Sequence, residues 1–244
     1  MKQTYFTIIK NEPLTSTVYR MVLEGDTSAI TSAGQFVNIK IDGLFLRRPI
    51  SVCDYNEKTV TILYKIVGKG TEAMKTMVPP SQLDILTGLG NGYDTTKSGK
   101  RPLLIGGGVG VPPMYRLAKN LLAEEKEPVI ILGFNTKDEA FYIEEFEQLG
   151  AEVLVATADG SLGKKGFVTD IVKGLSDYTY FYTCGPEPML KALADCTTTS
   201  GQLSFEERMG CGFGACMGCS CETKYGSKRI CKDGPVLEKE EIIW

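Results

Sequence analysis

The sequence of 244 residues contains no histidine. This absence excludes Ser-His and Cys-His nucleophilic catalysis, zinc hydrolysis with imidazole ligands, and haem held by histidine. The chain also lacks a long apolar segment, because its longest uncharged stretch, residues 102–115, has only 14 residues and is rich in glycine and proline. A transmembrane helix needs about 20 apolar residues. We therefore expect no association with a membrane.

A strongly basic surface is missing as well. Lys and Arg number 27 against 30 Asp and Glu, a net charge of −3, which argues against nucleic acid as a partner. The amino terminus does not resemble a signal peptide, since Lys10 and Glu12 come before any apolar region develops. With 43% hydrophobic residues the composition is that of a globular protein, and we expect it in the cytoplasm.

The first 98 residues have the pattern of a small antiparallel β-barrel. Short β-branched and aromatic runs at residues 4–9, 17–23, 36–41 and 59–66 are separated by turn residues. One helix is predicted at residues 72–77, with Thr71 as its N-cap and a stop at Pro79 and Pro80.

From residue 99 to about residue 200 the pattern changes to an alternation of strands and helices. Strands are predicted at 102–105, 129–134, 152–157 and 178–184, and helices at 114–125, 139–149, 168–175 and 187–194. Such alternation indicates a parallel sheet with helices on both faces. Residues 201–244 are rich in glycine and cysteine and form a predicted third module.

Five of the eight cysteines lie in the last 34 residues. Cys211, Cys216, Cys219 and Cys231 have the C-x4-C-x2-C…C form of plant-type [2Fe–2S] sites, so we predict them as cluster ligands. The alternatives are a structural four-cysteine zinc site and oxidation-prone free thiols. Cys221 is a fifth cysteine beyond what one cluster needs, and an exchange of its role with Cys219 stays open.

Two loops are candidates for nucleotide binding. Gly106, Gly107, Gly108 and Gly110 follow an apolar strand and precede a helix, the context of a phosphate-binding turn. A second loop with Cys184, Gly185 and Pro186 follows the last strand at the same edge of the predicted sheet, where open α/β sheets bind ligands.

In the front half, Arg48 and Ser51 are three residues apart on one predicted strand. The guanidinium is suited to a pyrophosphate and the hydroxyl to a flavin ring, while a solvated arginine on an edge strand is the alternative. Gly70 and Thr71, at the start of the predicted helix, offer a second anion site.

These motifs resemble, in their order along the chain, those of the ferredoxin-reductase family. Residues 205–216, with the closing segment 231–235, are similar to one branch of that family, the electron-transfer subunits of class B dihydroorotate dehydrogenase. The resemblance covers essentially the whole chain. A departure is the stretch between the third and fourth cysteines, residues 220–230, which is shorter than in some relatives.

The resemblance implies a FAD-binding barrel, an NAD-binding α/β domain and a [2Fe–2S] module that contacts a separate FMN-containing catalytic subunit, in a heterotetramer with two of each chain. Carried over by motif, the FAD residues are Arg48, Pro49, Ile50, Ser51, Leu63, Tyr64, Lys65, Gly70 and Thr71. The implied activity is an NAD-linked oxidoreductase relay in pyrimidine biosynthesis, with dihydroorotate oxidised on the partner. Cys184 is then either a residue beside the nicotinamide or an ordinary buried thiol.

Two other functions stay open at this point. One is an equivalent diaphorase subunit that serves a hydrogenase or a flavin-based transhydrogenase. The other is a non-catalytic module in which the cysteines bind zinc. No arginine for a 2′-phosphate occurs in residues 135–139, which favours NAD over NADP.

Overall fold

The structure, a computed structural model, describes residues 1–244. Its first half is a closed antiparallel barrel with the strand order β1-β2-β5-β4-β3-β6. The strands are β1 (Lys2–Pro13), β2 (Val18–Glu24), β3 (Phe36–Ile39), β4 (Arg48–Tyr55), β5 (Thr59–Lys65) and β6 (Gln82–Leu89). The predicted barrel is thus confirmed.

Alternate residues of these strands fill the barrel interior, as the period of two along a strand requires. The interior includes Phe6, Met21, Val37, Ile62 and Ile85, all fully buried. Their neighbours in sequence point outward, and this outer face of the barrel meets the rest of the molecule.

The barrel helix α1 (Lys69–Lys75) begins and ends earlier than predicted. Thr71 is not its N-cap but lies inside the first turn, where its hydroxyl accepts hydrogen bonds from the backbone N–H groups of Val67 (2.9 Å) and Gly68 (3.3 Å). The side chain reaches back over the turn from inside the helix, a role that the sequence pattern does not distinguish from an N-cap.

The second half is a seven-stranded sheet with the order β10-β9-β8-β7-β11-β12-β15. Its elements, in chain order, are β7 (Pro102–Gly107), α2 (Pro112–Ala123), β8 (Val129–Phe134), α3 (Ile143–Gln148), β9 (Glu152–Thr157), β10 (Lys164–Lys165), α4 (Val168–Val172), β11 (Tyr180–Cys184), α5 (Glu187–Cys196), β12 (Gly201–Ser204) and β15 (Val236–Glu238). All its strand pairs are parallel except β12 with β15.

Helices cover both faces of this sheet, as predicted. Leu104 and Ile130 point to the face covered by α2, whereas Leu103 and Ile131 point to the face covered by α4 and α5. Helix α3 is shorter than predicted, because Tyr142 has a left-handed backbone (φ 66°) that separates it from the preceding 3-10 turn.

The cysteine-rich segment is inserted between two strands of the sheet. Strand β12 pairs with β11, β15 returns to pair with β12, and the chain between them forms a hairpin of β13 (Ser220–Thr223) and β14 (Gly226–Arg229) followed by α6 (Ile230–Asp233). The sheet therefore extends past the proposed domain boundary at residue 200.

The barrel and the sheet share a buried core. Cys53 and Leu63 of the barrel pack in the same apolar cluster as Met114 and Leu117 of α2. At the edge of this contact, Arg116 bonds Asp54 (3.1 Å) and the carbonyl of Tyr55 (2.6 Å). None of the helices is both long enough and apolar enough to cross a membrane.

Candidate functional site

The two predicted nucleotide loops meet where the order of the sheet reverses. Strand β7 lies between β8 and β11. After β7 the chain continues to β8 on one side, and after β11 it continues to β12 on the other side. The carboxyl ends of such neighbouring strands form a crevice that binds ligands in open α/β sheets. Here that crevice is a cavity of about 540 Å³.

Glycines make this crevice possible. A Cβ on Gly110 would collide with the carbonyl of Cys184, and one on Gly106 would lie 2.8 Å from Cα of Val111. Gly108 adopts a left-handed backbone with φ 52°. The sequence Gly106–Gly110 therefore packs the end of β7 directly against the end of β11, and α2 begins immediately after it.

Most of the predicted nucleotide residues line the cavity. These are Gly107, Gly108, Gly110, Gly185 and Pro186. Gly106 and Cys184 lie behind the wall, and Cys184 is 2% exposed. Burial raises the pKa of Cys184 to about 12, so its thiol is uncharged at neutral pH.

The cavity also has residues that sequence reasoning missed, among them Asn135, Glu139 and Glu206. Asn135 follows β8 directly, and its Nδ2 donates to Oε2 of Glu139 at 2.8 Å. The signal was available in the sequence, since an acidic residue after the second strand of such a sheet suits the hydroxyls of a ribose.

On the barrel, the structure brings Arg48 and Gly70 together. The Arg48 side chain lies over Gly70, where a Cβ would collide with its Nε. Arg47, by contrast, makes a two-pronged ion pair with Asp84, at 3.0 Å to each carboxylate oxygen. Arg47 is thus paired with an acidic side chain, whereas the Arg48 guanidinium donates to the backbone carbonyl of Leu46 and makes no ion pair.

The other predicted FAD residues divide between the two faces of their strands. Ile50 and Tyr64 pack toward the barrel interior, and the Tyr64 hydroxyl donates to Oδ1 of Asn11 at 2.9 Å. Leu63 faces α2, and Lys65 lines the cavity of the nucleotide loops. The side chains of Ile50 and Tyr64 thus point away from the outer face of the barrel. Only the backbone of these two residues lies on that face.

Pro49 and Ser51 lie on that outer face, opposite Asn38 and Phe36 of β3. Lys65 of β5 joins the same side of the barrel to the glycine loops. The barrel site and the nucleotide cavity are consequently adjacent.

The four predicted cluster cysteines approach each other in two pairs. The backbone N–H of Cys216 is directed at Sγ of Cys211, and the backbone N–H of Cys231 donates to Sγ of Cys219 at 3.4 Å. Cys219 and Cys231 are buried, whereas Cys216 is exposed.

Backbone N–H groups are directed at the sulfur of Cys211. Those of Phe213, Ala215 and Cys216 donate to it at 3.5, 3.2 and 3.5 Å. Burial raises the pKa of this thiol, but the amide hydrogen bonds outweigh burial and lower it to about 6. Such a cradle stabilises a thiolate, the form that binds metal.

This donor set fits a [2Fe–2S] cluster better than zinc. Each of the two irons takes two of the four cysteine sulfurs, which matches two thiol pairs. A structural zinc ion needs four ligands around one point rather than two ligands at each of two centres. Gly210 leaves room beside Cys216, since a Cβ there would lie only 3.1 Å from its sulfur.

Cys221 lies on β13, two residues beyond Cys219 and opposite Lys228. It is half-buried, and burial raises the pKa of its thiol. No backbone N–H donates to its sulfur, in contrast to Cys211 and Cys219.

Comparison with known proteins agrees with this geometry. Residues 104–195 match the family model of the oxidoreductase NAD-binding domain, and residues 206–243 match the iron–sulfur cluster binding domain of dihydroorotate dehydrogenase B. The chain is 45% identical over 257 residues to the dihydroorotate dehydrogenase B (NAD(+)) electron transfer subunit of Fusobacterium nucleatum, with 99% of each chain covered. The chain belongs to this family of electron transfer subunits.

A second family member, from Geobacillus sp., is 42% identical over 100% of this chain and 99% of its own. These findings confirm the resemblance and the oxidoreductase class that the sequence predicts. Family members are named as subunits, so the family functions with a catalytic partner.

A solved structure has the same fold over almost the whole chain. A chain of NADH-dependent reduced ferredoxin-NADP oxidoreductase, described for flavin-based electron bifurcation, superimposes with a TM-score of 0.89. It is 28% identical and covers 98% of this chain and 90% of its own. The predicted combination of barrel, α/β sheet and carboxy-terminal segment is confirmed.

Proposed function

We propose that this chain relays electrons from an FMN-containing dihydroorotate dehydrogenase catalytic subunit to NAD⁺, through a [2Fe–2S] cluster and FAD, in pyrimidine biosynthesis. The observation that carries the proposal is the paired arrangement of four cysteines beside a barrel site that also adjoins the nucleotide cavity. The family supports the identity of the partner.

The barrel site occupies the middle of this arrangement. On one side Lys65 connects it to the glycine loops, and on the other β3 connects it to the cysteine module. FAD bound there would supply the conversion between two-electron hydride transfer and one-electron transfer, which nicotinamides and iron–sulfur clusters cannot exchange directly.

The residues of the chain bind and orient these groups. Arg48, with Gly70 and Thr71 beside it, is placed to hold a pyrophosphate, and Ser51 and Lys65 to contact the flavin. Gly107, Gly108 and Gly110 allow close backbone approach of the dinucleotide to the sheet edge. Buried and uncharged, Cys184 supports the wall of the nicotinamide site.

Glu139 and Asn135 favour NAD over NADP. Their side chains are joined at the end of β8 and face the cavity. A carboxylate accepts hydrogen bonds from ribose hydroxyls and repels a 2′-phosphate.

The surface around the cluster suits a protein partner. Cys216 is exposed, and Phe213 and Met217 beside it are 42% and 54% exposed. At the carboxy terminus, Ile243 is exposed, Ile242 is buried, and the centre of the Trp244 ring lies 6.0 Å from that of Phe205. We propose two copies of each chain in the complex, in the cytoplasm, whose reducing conditions keep thiols free for iron.

Reconstitution tests the proposal. The purified chain with FAD and cluster should oxidise NADH with an artificial acceptor but should not oxidise dihydroorotate. Addition of the FMN-containing subunit should start NAD⁺-linked dihydroorotate oxidation. A chain that reduces NAD⁺ with dihydroorotate on its own, or that contains zinc and no flavin, would contradict the proposal.

A second candidate is a diaphorase subunit of a flavin-based transhydrogenase, favoured by the structural similarity over 98% of the chain. Purification of the chain from the cells that naturally produce it distinguishes the two candidates. An FMN-containing dihydroorotate dehydrogenase that co-purifies with the chain supports the first candidate, and a larger bifurcating flavoprotein supports the second.

A further inference from the structure

Strands β3 and β4 place the flavin side and the cluster side of the molecule on one surface. Their register sets Phe36 opposite Ser51 and Asn38 opposite Pro49. Directly opposed residues of an antiparallel pair point to the same face, on strands about 4.8 Å apart. Phe36 and Asn38 therefore lie one strand away from the residues proposed to contact the flavin.

The same two residues contact the cysteine module. Phe36 packs in a buried cluster with Cys219 and Cys231. Asn38 donates from Nδ2 to the backbone carbonyl of Cys211 at 3.3 Å, although the two residues are 173 positions apart in sequence. Asn38 is thus the polar connection between the barrel and a cluster ligand.

The fit around this connection is close. Asn38 is 1% exposed. Gly212, next to the ligand, has φ 79°, and a Cβ there would collide with the Asn38 amide. The glycine lets the ligand loop lie directly on the asparagine.

Packing alone does not explain an asparagine at this position. Its Oδ1 is buried and has no hydrogen-bond partner in the chain. A buried acceptor without a partner costs about 1–3 kcal/mol, and leucine has nearly the same shape without that acceptor. What leucine cannot supply is the Nδ2 hydrogen bond to the Cys211 carbonyl, so the amide serves that contact.

We propose that Asn38 is a positioning residue that fixes the Cys211 loop against the flavin face and so sets the cluster's redox potential and its electron exchange with the flavin. The Cys211 sulfur accepts three amide hydrogen bonds from its own loop, and Asn38 holds that loop through the Cys211 carbonyl. Hydrogen-bond donors near cluster sulfurs raise the potential by stabilising the reduced state.

This inference rests on the proposed function. The step concerned moves one electron between flavin and cluster, and one iron changes between ferric and ferrous as the flavin loses or gains that electron. Loss of the Asn38 hydrogen bond should loosen the Cys211 loop and weaken its amide bonds to the sulfur. The cluster potential should then fall and this exchange should slow, with no effect on the earlier hydride step.

The test compares Asn38→Leu with wild type in the chain loaded with FAD and cluster. Two quantities are measured: the cluster midpoint potential in an EPR-monitored titration, and the rates of flavin and cluster reduction after rapid mixing with NADH. We expect Asn38→Leu to reduce the flavin at the wild-type rate within twofold and the cluster at least tenfold more slowly. Its equilibrium for cluster reduction should be about tenfold less favourable, or about 59 mV for one electron.

Three further variants make the result specific. In Asn38→His the ring N–H can replace the amide donor, so the potential should return toward the wild-type value. Asn38→Ala removes the donor without adding a charge and carries the same test if Asn38→Leu loads little iron. Asn91→Leu is the matched control, because Asn91 also bonds the carboxy-terminal segment, at the Val236 carbonyl (2.7 Å), without touching a cysteine.

A wild-type potential and a wild-type rate of cluster reduction in both Asn38→Leu and Asn38→Ala would overturn the inference. An equal shift in Asn91→Leu would overturn it as well. A wild-type chain that binds neither FAD nor cluster refutes the proposed function itself. That result is distinguishable, because it appears before any substitution is made.

Discussion

The barrel and sheet differ from the cysteine module in what holds them together. Large apolar side chains such as Phe6, Met21 and Phe181 fill the cores of the barrel and the sheet. The module's buried apolar core contains Cys219, Ile230 and Cys231. Phe36, Leu86 and Leu89 of the barrel complete this core. The barrel and the sheet fold by burying apolar surface, whereas the cysteine module depends on its bound metal and on its contacts with the barrel.

The ligand sites differ in the same way. In the nucleotide cavity, glycines and a sheet edge supply a preformed shape within a rigid core. In the module, backbone amides surround a thiol on a loop. Met217, Gly212 and Gly214 of this loop have a positive φ, and a Cβ on Gly210 would lie close to the Cys216 sulfur. Four experiments sharpen or break this contrast.

Replacement of a cluster ligand should have the largest effect. Cys231→Ser removes one of two sulfurs from an iron, so the visible absorbance of the cluster should be lost or nearly so. Cys221→Ser should keep that absorbance, since Cys221 has no amide donor and lies outside the pairs. Iron content and the visible spectrum measure both. A colourless Cys221→Ser beside a coloured Cys219→Ser would contradict the ligand assignment.

Removal of the cluster should disorder the module and leave the rest folded. Without its metal, residues 206–235 have few apolar contacts of their own, so their amides should exchange with solvent about 100-fold faster or more. Amides of β7 and β8 should keep their protection, because the sheet core does not include the cluster. Hydrogen exchange with mass spectrometry checks this. Equal loss of protection in both regions would show that they fold as one unit.

Arg48→Ala should weaken FAD binding by about ten- to a hundredfold, because a charge-assisted hydrogen bond contributes about 1.5–3 kcal/mol. Arg47→Ala is the matched control. It breaks the ion pair with Asp84 and should lower the free energy of unfolding by about 1 kcal/mol without a comparable change in FAD affinity. Flavin fluorescence titration and chemical denaturation measure the two effects. Equal losses of FAD affinity in the two variants would contradict a position of FAD beside Arg48.

The smallest effect that we expect is a difference in stability between Gly110→Ala and Gly108→Ala. The Cβ at position 110 meets the Cys184 carbonyl, so we expect a loss of about 3 kcal/mol in unfolding free energy and weaker NADH binding. At position 108 no atom lies within 4 Å of the new Cβ, and the cost, about 1 kcal/mol, comes from the positive φ alone. Similar losses at the two positions would show that the loop is not preformed.

Local patterns in the sequence were enough for much of the fold. The strands at 129–134 and 152–157 have the predicted bounds, since continuous apolar runs with turn residues at both ends indicate buried strands. Short strands such as β10, β12 and β15 were missed, because two to four residues carry too little pattern. Helix α3 was predicted too long because a left-handed Tyr142 has no sequence signal.

The candidate site was predictable to a similar degree. Cysteine spacing indicates a cluster because its ligands must come from a short, closely folded segment, and glycine loops after strands indicate phosphate because backbone must approach it. Glu139 and Glu206 were missed, since only the folded sheet shows that they face one cavity.

By itself, the sequence determined the nature of each part: an antiparallel barrel, an alternating α/β sheet and a thiol-rich cluster segment, all set by local periodicity and spacing. Only the tertiary structure decided which parts touch. That β11 lies beside β7, that Arg47 rather than Arg48 pairs with Asp84, and that Asn38 reaches Cys211 depend on long-range strand pairing. Hydrophobic burial drives that pairing without direction, so register and neighbours emerge only when the whole chain packs.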